Sequence, residues 1–282
     1  MDILNKKHFL TVKDYSVSQE TFDLYHDETL DMLITHPQPS LDTLGKYYES
    51  ADYISHTDSK RSVFEKAYHI VKNIALKNKL NLINSLQPNK GLILDIGAGT
   101  GDFLFVAKNC GWKAIGAEPS EKAKAIAKSK GVSFVEKTSE LESHTFDVIS
   151  MWHVLEHVPN LEEQIKELKR LLKPNGTLIV AVPNFKSFDA KHYGNFWAAY
   201  DVPIHFWHFS KTAIQKLFQK ENMNLEKVLP MKFDSFYVSL LSEKYKTGKM
   251  NFIKAFFVGL QSNWKAKQNS EYSSHIYIIK NS

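Results

Sequence analysis

The rhythm of apolar and polar positions changes three times along the chain. Residues 1 to about 45 mix short apolar runs, Phe22 to Tyr25 and Leu30 to Ile34, with acidic turns, and close at Pro37-Gln38-Pro39-Ser40. That is the pattern of a small β-rich element ended by a proline-bound loop. Asp42 to Tyr48 reads as a short helix. Lys60 to Leu86 reads as a long one, because Val63, Phe64, Ala67, Ile70, Val71, Ile74 and Ala75 recur at helical spacing.

From Gly91 onward, strands and helices alternate. Leu92 to Ile96 is a short apolar run, as expected of a strand buried on both faces. A glycine-rich turn leads into a helix from Asp102 to Cys110. Ala114 to Glu118 is the next strand, followed by a helix that Ser120 can cap and Gly131 can end. Strands follow at Ser133 to Glu136 and Phe146 to Met151. Asn160 with Glu163 resembles a capping box opening a helix that puts Leu161, Ile165, Leu168, Leu171 and Leu172 on one face. Thr177 to Val182 is the fifth strand. This alternation predicts a parallel, doubly wound α/β sheet. Residues 184–209 break the rhythm, being rich in aromatics and histidine without a period, and read as a long ordered loop. A helix (Ser210 to Met223), a strand (Leu225 to Lys232), a mostly helical segment (236–267) and a last strand (His275 to Ile279) complete the pattern. The domain plan is therefore a β-rich element (1–45), a helical lid (46–87) and an α/β domain (88–282) with insertions at 184–209 and 236–267.

Composition narrows the class. In 282 residues, no run approaches the ~18 apolar residues that span a bilayer. The first residues lack the apolar core of a secretory signal, and Cys110 is the one cysteine, so a reducing, cytoplasmic setting is expected, with no disulfide and no zinc-thiolate site. Lysine and arginine (36) exceed aspartate and glutamate (31), giving a net charge of +5. Only Arg61 and Arg170 are arginines, and the lysines are spread along the chain beside acids. Nucleic-acid recognition leans on the arginine fork, so no nucleic-acid partner is expected.

The residues that carry chemistry are Asp95-Ile96-Gly97-Ala98-Gly99-Thr100-Gly101, where the first strand of the α/β domain meets its first helix. Ligands of open α/β sheets bind at the carboxyl ends of strands, and glycines let them approach the backbone. Glu118, at the end of the next strand, can accept both hydroxyls of a ribose. A dinucleotide needs Gly-x-Gly-x-x-Gly and a helix N-terminus free for pyrophosphate. Here the third glycine comes one residue early and Asp102 stands in its place. A carboxylate there repels a pyrophosphate. The spacing suits a cofactor with no phosphate and with a cationic amine and sulfonium.

These residues resemble motif I of the class I S-adenosylmethionine (SAM) dependent methyltransferases. Glu118-Pro119-Ser120 resembles their second motif, and Phe146 to Ser150 with Leu155-Glu156-His157-Val158 their fourth strand and following turn. Leu171 to Leu178 resembles the approach to the fifth strand. The resemblance covers roughly residues 88 to 230 and is closest to the ubiquinone-biosynthesis-like branch; Tyr200 to Ser210 also resembles uncharacterised bacterial members. It implies a Rossmann-like, seven-stranded sheet with an antiparallel last strand, an N-terminal β/helical extension and a helical insertion before that strand. It also implies SAM as cofactor, with S-adenosylhomocysteine as product. Asp95, Gly97, Gly99, Thr100 and Gly101 would shape the methionine pocket, and Glu118 with Pro119 the ribose site. Thr138 and Ser139 would lie near the adenine, and Trp152 and His153 beside the sulfonium. Tyr53 and His56 would touch the cofactor from the lid.

On the acceptor side, methyl transfer needs a positioned nucleophile and, for a hydroxyl, a base. His153, His157 and His205 are the candidates, with His208 beside them. His153-Val154-Leu155-Glu156-His157 formally matches a zinc-protease pattern, but Pro159 leaves room only for a turn, so no protease is expected. The resemblance to quinone-pathway methyltransferases implies a divalent cation held by acids and a histidine in this turn, but His153 stands where those have an acid, so no metal is expected. The apolar stretch Phe252 to Leu260 predicts a helix packed on the sheet edge or on a dimer partner, with a lipophilic acceptor or a membrane surface as the alternative. The expected protein is a methyltransferase acting on a small or medium organic acceptor, at oxygen. The rivals are a SAM-binding module without turnover and a nucleotide-dependent oxidoreductase.

Overall fold

The computed structural model describes residues 3–48 and 63–281, with side chains from residue 70 in the second stretch. Its centre is a seven-stranded sheet. In chain order the strands are β4 (Leu92–Ile96), β5 (Lys113–Ala117), β6 (Ser133–Val135), β7 (Phe146–Trp152), β8 (Leu172–Pro183), β10 (Met223–Pro230) and β11 (Ser274–Asn281). In space the order is β10-β11-β8-β7-β4-β5-β6. Five neighbours, β8 to β6, run parallel, and β11 lies antiparallel between β8 and β10. This is the doubly wound, Rossmann-like arrangement with an antiparallel last strand.

Period-two alternation sends successive side chains to opposite layers. Leu94, Ile149, Leu178, Val180, Tyr277 and Ile279 pack on one side with helices α5 (Leu161–Leu171) and α7 (Lys211–Lys220). Ile93, Val148, Ile179 and Ile278 pack on the other with α2 (Val63–Leu86), α3 (Asp102–Asn109) and α4 (Glu121–Ser129). Each fully buried aliphatic side chain contributes about 1.5–3 kcal/mol of burial. Ser120 and Ser210 cap their helices, accepting from the N–H of Ala123 and Ala213 at 3.3 and 3.1 Å. Asn160 does not cap: its side-chain amide donates to Glu163 instead (3.0 Å), so α5 starts without a side-chain cap.

A second sheet is built from β1 (Lys7–Lys13), β2 (Thr21–Asp27), β3 (Met32–His36) and the two-residue β9 (Trp207–His208), in the order β1-β2-β3-β9. Its last strand thus comes from the segment read as an aperiodic loop. That segment also holds the short helix α6 (Phe188–Tyr193) and two 3-10 turns at 194–196 and 198–200. It lacks a period because its aromatics pack in several directions at once. Phe185, Tyr193, Trp197 and Tyr200 form a core with Val12, Phe22, Leu24 and Leu33 of the N-terminal sheet, while Phe206, Trp207 and Phe209 join the main core. The helical segment before β11 is a pair, α8 (Asp234–Thr247) and α9 (Phe252–Asn269), turning at the left-handed Gly248 (φ 75°).

Candidate active site

The strand ends of β4, β5 and β7 form the cradle. Gly97, Gly99 and Gly101 all take left-handed backbone conformations (φ 71°, 52° and 72°), which L side chains rarely adopt. Two of them are also packed shut. A Cβ on Gly97 would lie 2.3 Å from Val154 Cγ2, and one on Gly101 2.7 Å from Ala127 Cβ. Gly99 differs: a Cβ there would meet nothing within 4 Å. Its side faces open space, and its N–H donates to Glu118 Oε2 (2.8 Å). Glu118 Oε1 accepts from the N–H of Ser120 (2.9 Å). Each carboxylate oxygen therefore keeps a lone pair for a further donor, the requirement for holding a vicinal diol.

Asp95 is buried beneath the cradle and accepts from Ser150 Oγ on β7 (2.6 Å). Burial pushes its carboxyl up to about 6 against the pull of Ser150 and of Lys79. A cationic ligand nearby would offset that desolvation. Lys79, on α2, sits 4.3 Å above the Trp152 ring, and its ammonium pKa is lowered by burial while Asp95 and Asp234 oppose the shift. Trp152 Nε1 is buried and has no hydrogen-bond partner among the described residues. A buried donor left over, a carboxylate awaiting positive charge and an open glycine face all fit a cationic nucleoside ligand.

Other anticipated residues have different parts. The Thr100 hydroxyl donates to Asp102 (3.1 Å), which also pairs with Lys72 and Lys130 (2.7 Å each), so the side chain of Thr100 secures the helix start. Thr138 and Ser139 lie in a 3-10 turn after β6, where the Thr138 carbonyl accepts from Arg170 (3.2 Å). Tyr53 and His56 lie outside the described residues.

The turn after β7 carries the histidines. His153 takes a left-handed conformation (φ 57°) that aims its ring between two acids: Nδ1 is 3.4 Å from Glu156 Oε1 and Nε2 3.2 Å from Asp234 Oδ2. Burial works against its charge, but the hydrogen bonds to Asp234 and Glu156 win and push it up to about 10. Those surroundings favour the protonated ring, which is a poorer proton acceptor than a neutral one. His205 is more enclosed. It is 7% exposed and donates Nδ1–H to the Ala199 carbonyl (3.0 Å), and burial holds it neutral, deep beneath the surface. His208 is buried against Thr35 Oγ1 (3.0 Å), with burial lowering it to about 3.

His157 is half-buried and neutral, its pKa lowered by burial, with Nδ1 3.2 Å from the Tyr48 hydroxyl. Its ring stands edge-on to His205, centroids 4.4 Å apart. Glu156, His157 and His205 bring ligand atoms within 4.8 Å of one another, close enough to share a cation. Glu156 faces His153 at 3.4 Å, yet neither of its buried carboxylate oxygens has a hydrogen-bond partner among the described residues, while His205 donates to the Ala199 carbonyl.

Sequence reasoning missed Lys79, Tyr48 and Asp234. Lys79 had a signal, since it stands on the apolar face of its helix between Leu76 and Ile83, which pack in the core. Asp234 had none: it reaches His153 across 81 residues of chain.

The methyltransferase-domain family profile matches residues 67–228. The chain belongs to this family, and its fold is that of the class I SAM-dependent methyltransferases. It is 32% identical over 124 residues to a ubiquinone biosynthesis O-methyltransferase of Rhizobium johnstonii, covering 40% of this chain and 50% of that one. It is 33% identical over 131 residues to the enzyme of the same name from Actinobacillus pleuropneumoniae serotype 5b, covering 40% and 56%. The chain thus spans about half the length of the curated relatives it matches. A solved SAM-dependent methyltransferase of Thermotoga maritima, described as a possible histamine N-methyltransferase, superposes with a TM-score of 0.52 at 23% identity. That match covers 77% of this chain and 95% of the other.

Proposed function

We propose that this chain transfers a methyl group from SAM to a hydroxyl oxygen of a small or medium organic acceptor, with His157 as the base. When bound, SAM supplies a methyl carbon already activated by its sulfonium. The open face of Gly99 would leave room for it, Glu118 would take the ribose hydroxyls and Asp95 would balance its positive charge. The protein's remaining work is to position the acceptor and manage one proton. With the methyl supplied by the bound sulfonium, the residues of this chain would hold the acceptor hydroxyl in line, and His157 would take its proton as the oxygen is methylated and S-adenosylhomocysteine leaves.

The observation that carries this reading is the contrast in surroundings of two histidines on one turn: the His153 ring lies between Glu156 (3.4 Å) and Asp234 (3.2 Å), whereas His157, four residues on, faces the Tyr48 hydroxyl (3.2 Å) and the His205 ring. Those surroundings raise the pKa of His153 and lower that of His157. Environments that push neighbouring titratable groups apart assign proton holder and proton acceptor. The phenolic hydroxyl of Tyr48 at His157 Nδ1 is itself the kind of donor that nitrogen would receive from an acceptor.

Calorimetric titration with SAM, S-adenosylhomocysteine and NADH is the first test. Binding of both sulfur compounds, silence with NADH and loss of binding in Gly99→Arg are expected. Release of S-adenosylhomocysteine is then followed across phenols, hydroxy acids and amines. Turnover confined to amines would overturn oxygen as the methylated atom, and folded protein that binds neither sulfur compound would sink the reading.

A further inference from the structure

Helix α9 is packed inside out. Its buried face consists of small residues, Ala255, Val258, Gly259, Ser262 and Ala266. Gly259 allows the closest approach, because a Cβ there would lie 2.7 Å from the Phe236 ring of α8. The large apolar residues face away. Phe252, Ile253, Phe256, Phe257, Leu260 and Trp264 follow helical spacing along the opposite side, each about half exposed or more. The expected burial of the large residues against the sheet edge therefore fails, since the helix packs through its small side chains on α8 and α6. Isolated exposed apolar residues are ordinary, but a contiguous aromatic stripe on one helix marks a contact surface.

The charge around the stripe has one sign. Between Ser235 and Ser270 the chain carries six lysines and a single acid, Glu243. The Glu243 side chain is fully buried and pairs with Lys254 (3.0 Å). Lys246 and Lys249 stand exposed in the turn before the stripe, and Lys267 at its far end. Apolar residues on one side of a helix with lysines at its rim are what an interfacial membrane helix presents. A second copy of the chain is a poorer occupant, because a twofold contact would set the same lysine rim against itself. None of the described helices is long and apolar enough to cross a membrane, so the mode is lying on the surface.

We propose that α9 docks the protein on an anionic phospholipid bilayer, with its aromatic stripe among the acyl-chain ends of the headgroups and Lys246, Lys249 and Lys267 against the phosphates. The surface is independent of methyl transfer. It lies on the helical pair whose first residue, Asp234, faces His153, so docking would bring the acceptor side toward the bilayer, where a lipophilic acceptor dissolves.

The test is flotation of the full chain with vesicles of phosphatidylcholine alone and of phosphatidylcholine with phosphatidylglycerol, at low and high salt. Co-flotation with the anionic vesicles, weakened by salt, is expected. The triple variant Ile253→Ser, Phe257→Ser, Trp264→Ser should lower partitioning about a thousandfold. Lys246→Glu, Lys249→Glu, Lys267→Glu should lower it at least about a hundredfold, at about fivefold per lysine. Both variants should melt and bind SAM as the parent does, which separates this test from that of the methyltransferase reading. Absence of co-flotation, or equal binding to neutral vesicles, would overturn the proposal. A dimer in solution that the serine variant dissociates would overturn it in favour of a second copy.

Discussion

The cofactor side and the acceptor side of this protein meet at the end of β7, yet they are built in opposite ways. On the cofactor side one strand, its turn and the next strand supply Asp95, three glycines and Glu118 within 24 residues, and the parallel register sets their spacing. On the acceptor side Tyr48, His157, His205 and Asp234 come from four distant segments, brought together by side-chain contacts. Local backbone geometry makes the first robust and readable. The second depends on how separate layers pack.

The widest gap between the two should appear within the glycine turn itself. Gly97→Val should destabilise the protein by about 2–4 kcal/mol, because a side chain must displace Val154 at a left-handed position. Gly99→Arg should lower SAM affinity at least about a hundredfold while melting near the parent temperature, apart from about 1 kcal/mol of backbone strain. Thermal melts and titrations on both proteins separate packing from binding. If both variants merely unfold, the open face of Gly99 is no cradle.

On the acceptor side, His157→Ala should lower kcat about a hundredfold with the cofactor dissociation constant unchanged. Asp234→Asn should lower kcat less and release His153 from its protonated state, adding a second ionisation to the pH–rate profile. An unchanged profile would mean that Asp234 does not hold the proton on His153.

The pH dependence of stability tests the buried side of the acceptor half. His208 and His275 have folded values of about 3 and 4, and His205 is lowered as well, all by burial. A histidine lowered by folding contributes no penalty above its ordinary value near 6.5. As pH falls below that, the unfolded chain gains the proton first and stability is lost. The melting temperature should therefore drop by about 5–10 °C between pH 7.5 and pH 5. His208→Gln should flatten that slope; a slope that stays unchanged would locate the acid sensitivity elsewhere.

The smallest effect runs the other way. His153 is raised to about 10, so its ion pairs stabilise fully below about 6.5, and that stability is lost as pH rises through about 10. Its side chain is a third exposed, so only a slight alkaline decline is expected, absent in Asp234→Asn.

The sheet was legible because each buried strand is a short apolar run punctuated by turn residues, and Leu92 to Ile96 announces both its own strand and the glycine turn behind it. The 184–209 segment was not, because Trp197, Tyr200 and Trp207 serve two cores and no single period describes a chain that packs on several sides. The histidines were findable as residue types, but their protonation was not. Whether an imidazole is cationic or neutral depends on Asp234 for His153 and on enclosing aromatics for His205, neither adjacent in sequence. The inverted packing of α9 shows the same limit, since a run of phenylalanines at helical spacing reads as core until the opposite face proves to be the one that fits.

β11 occupies the interior of the main sheet, hydrogen-bonded to β8 on one side and β10 on the other. During synthesis on the ribosome, β10 has no partner until residues 274–281 emerge, and the N-terminal sheet likewise lacks its fourth strand until residue 208. The growing chain therefore carries unfinished sheet edges in turn: the N-terminal sheet closes at residue 208, and the edges of β8 and β10 wait for residues 274–281. A nascent chain stalled just short of residue 274 would expose the edge of β8 on which Val180 pairs with Tyr277, and the arrival of β11 closes both open edges with a single strand.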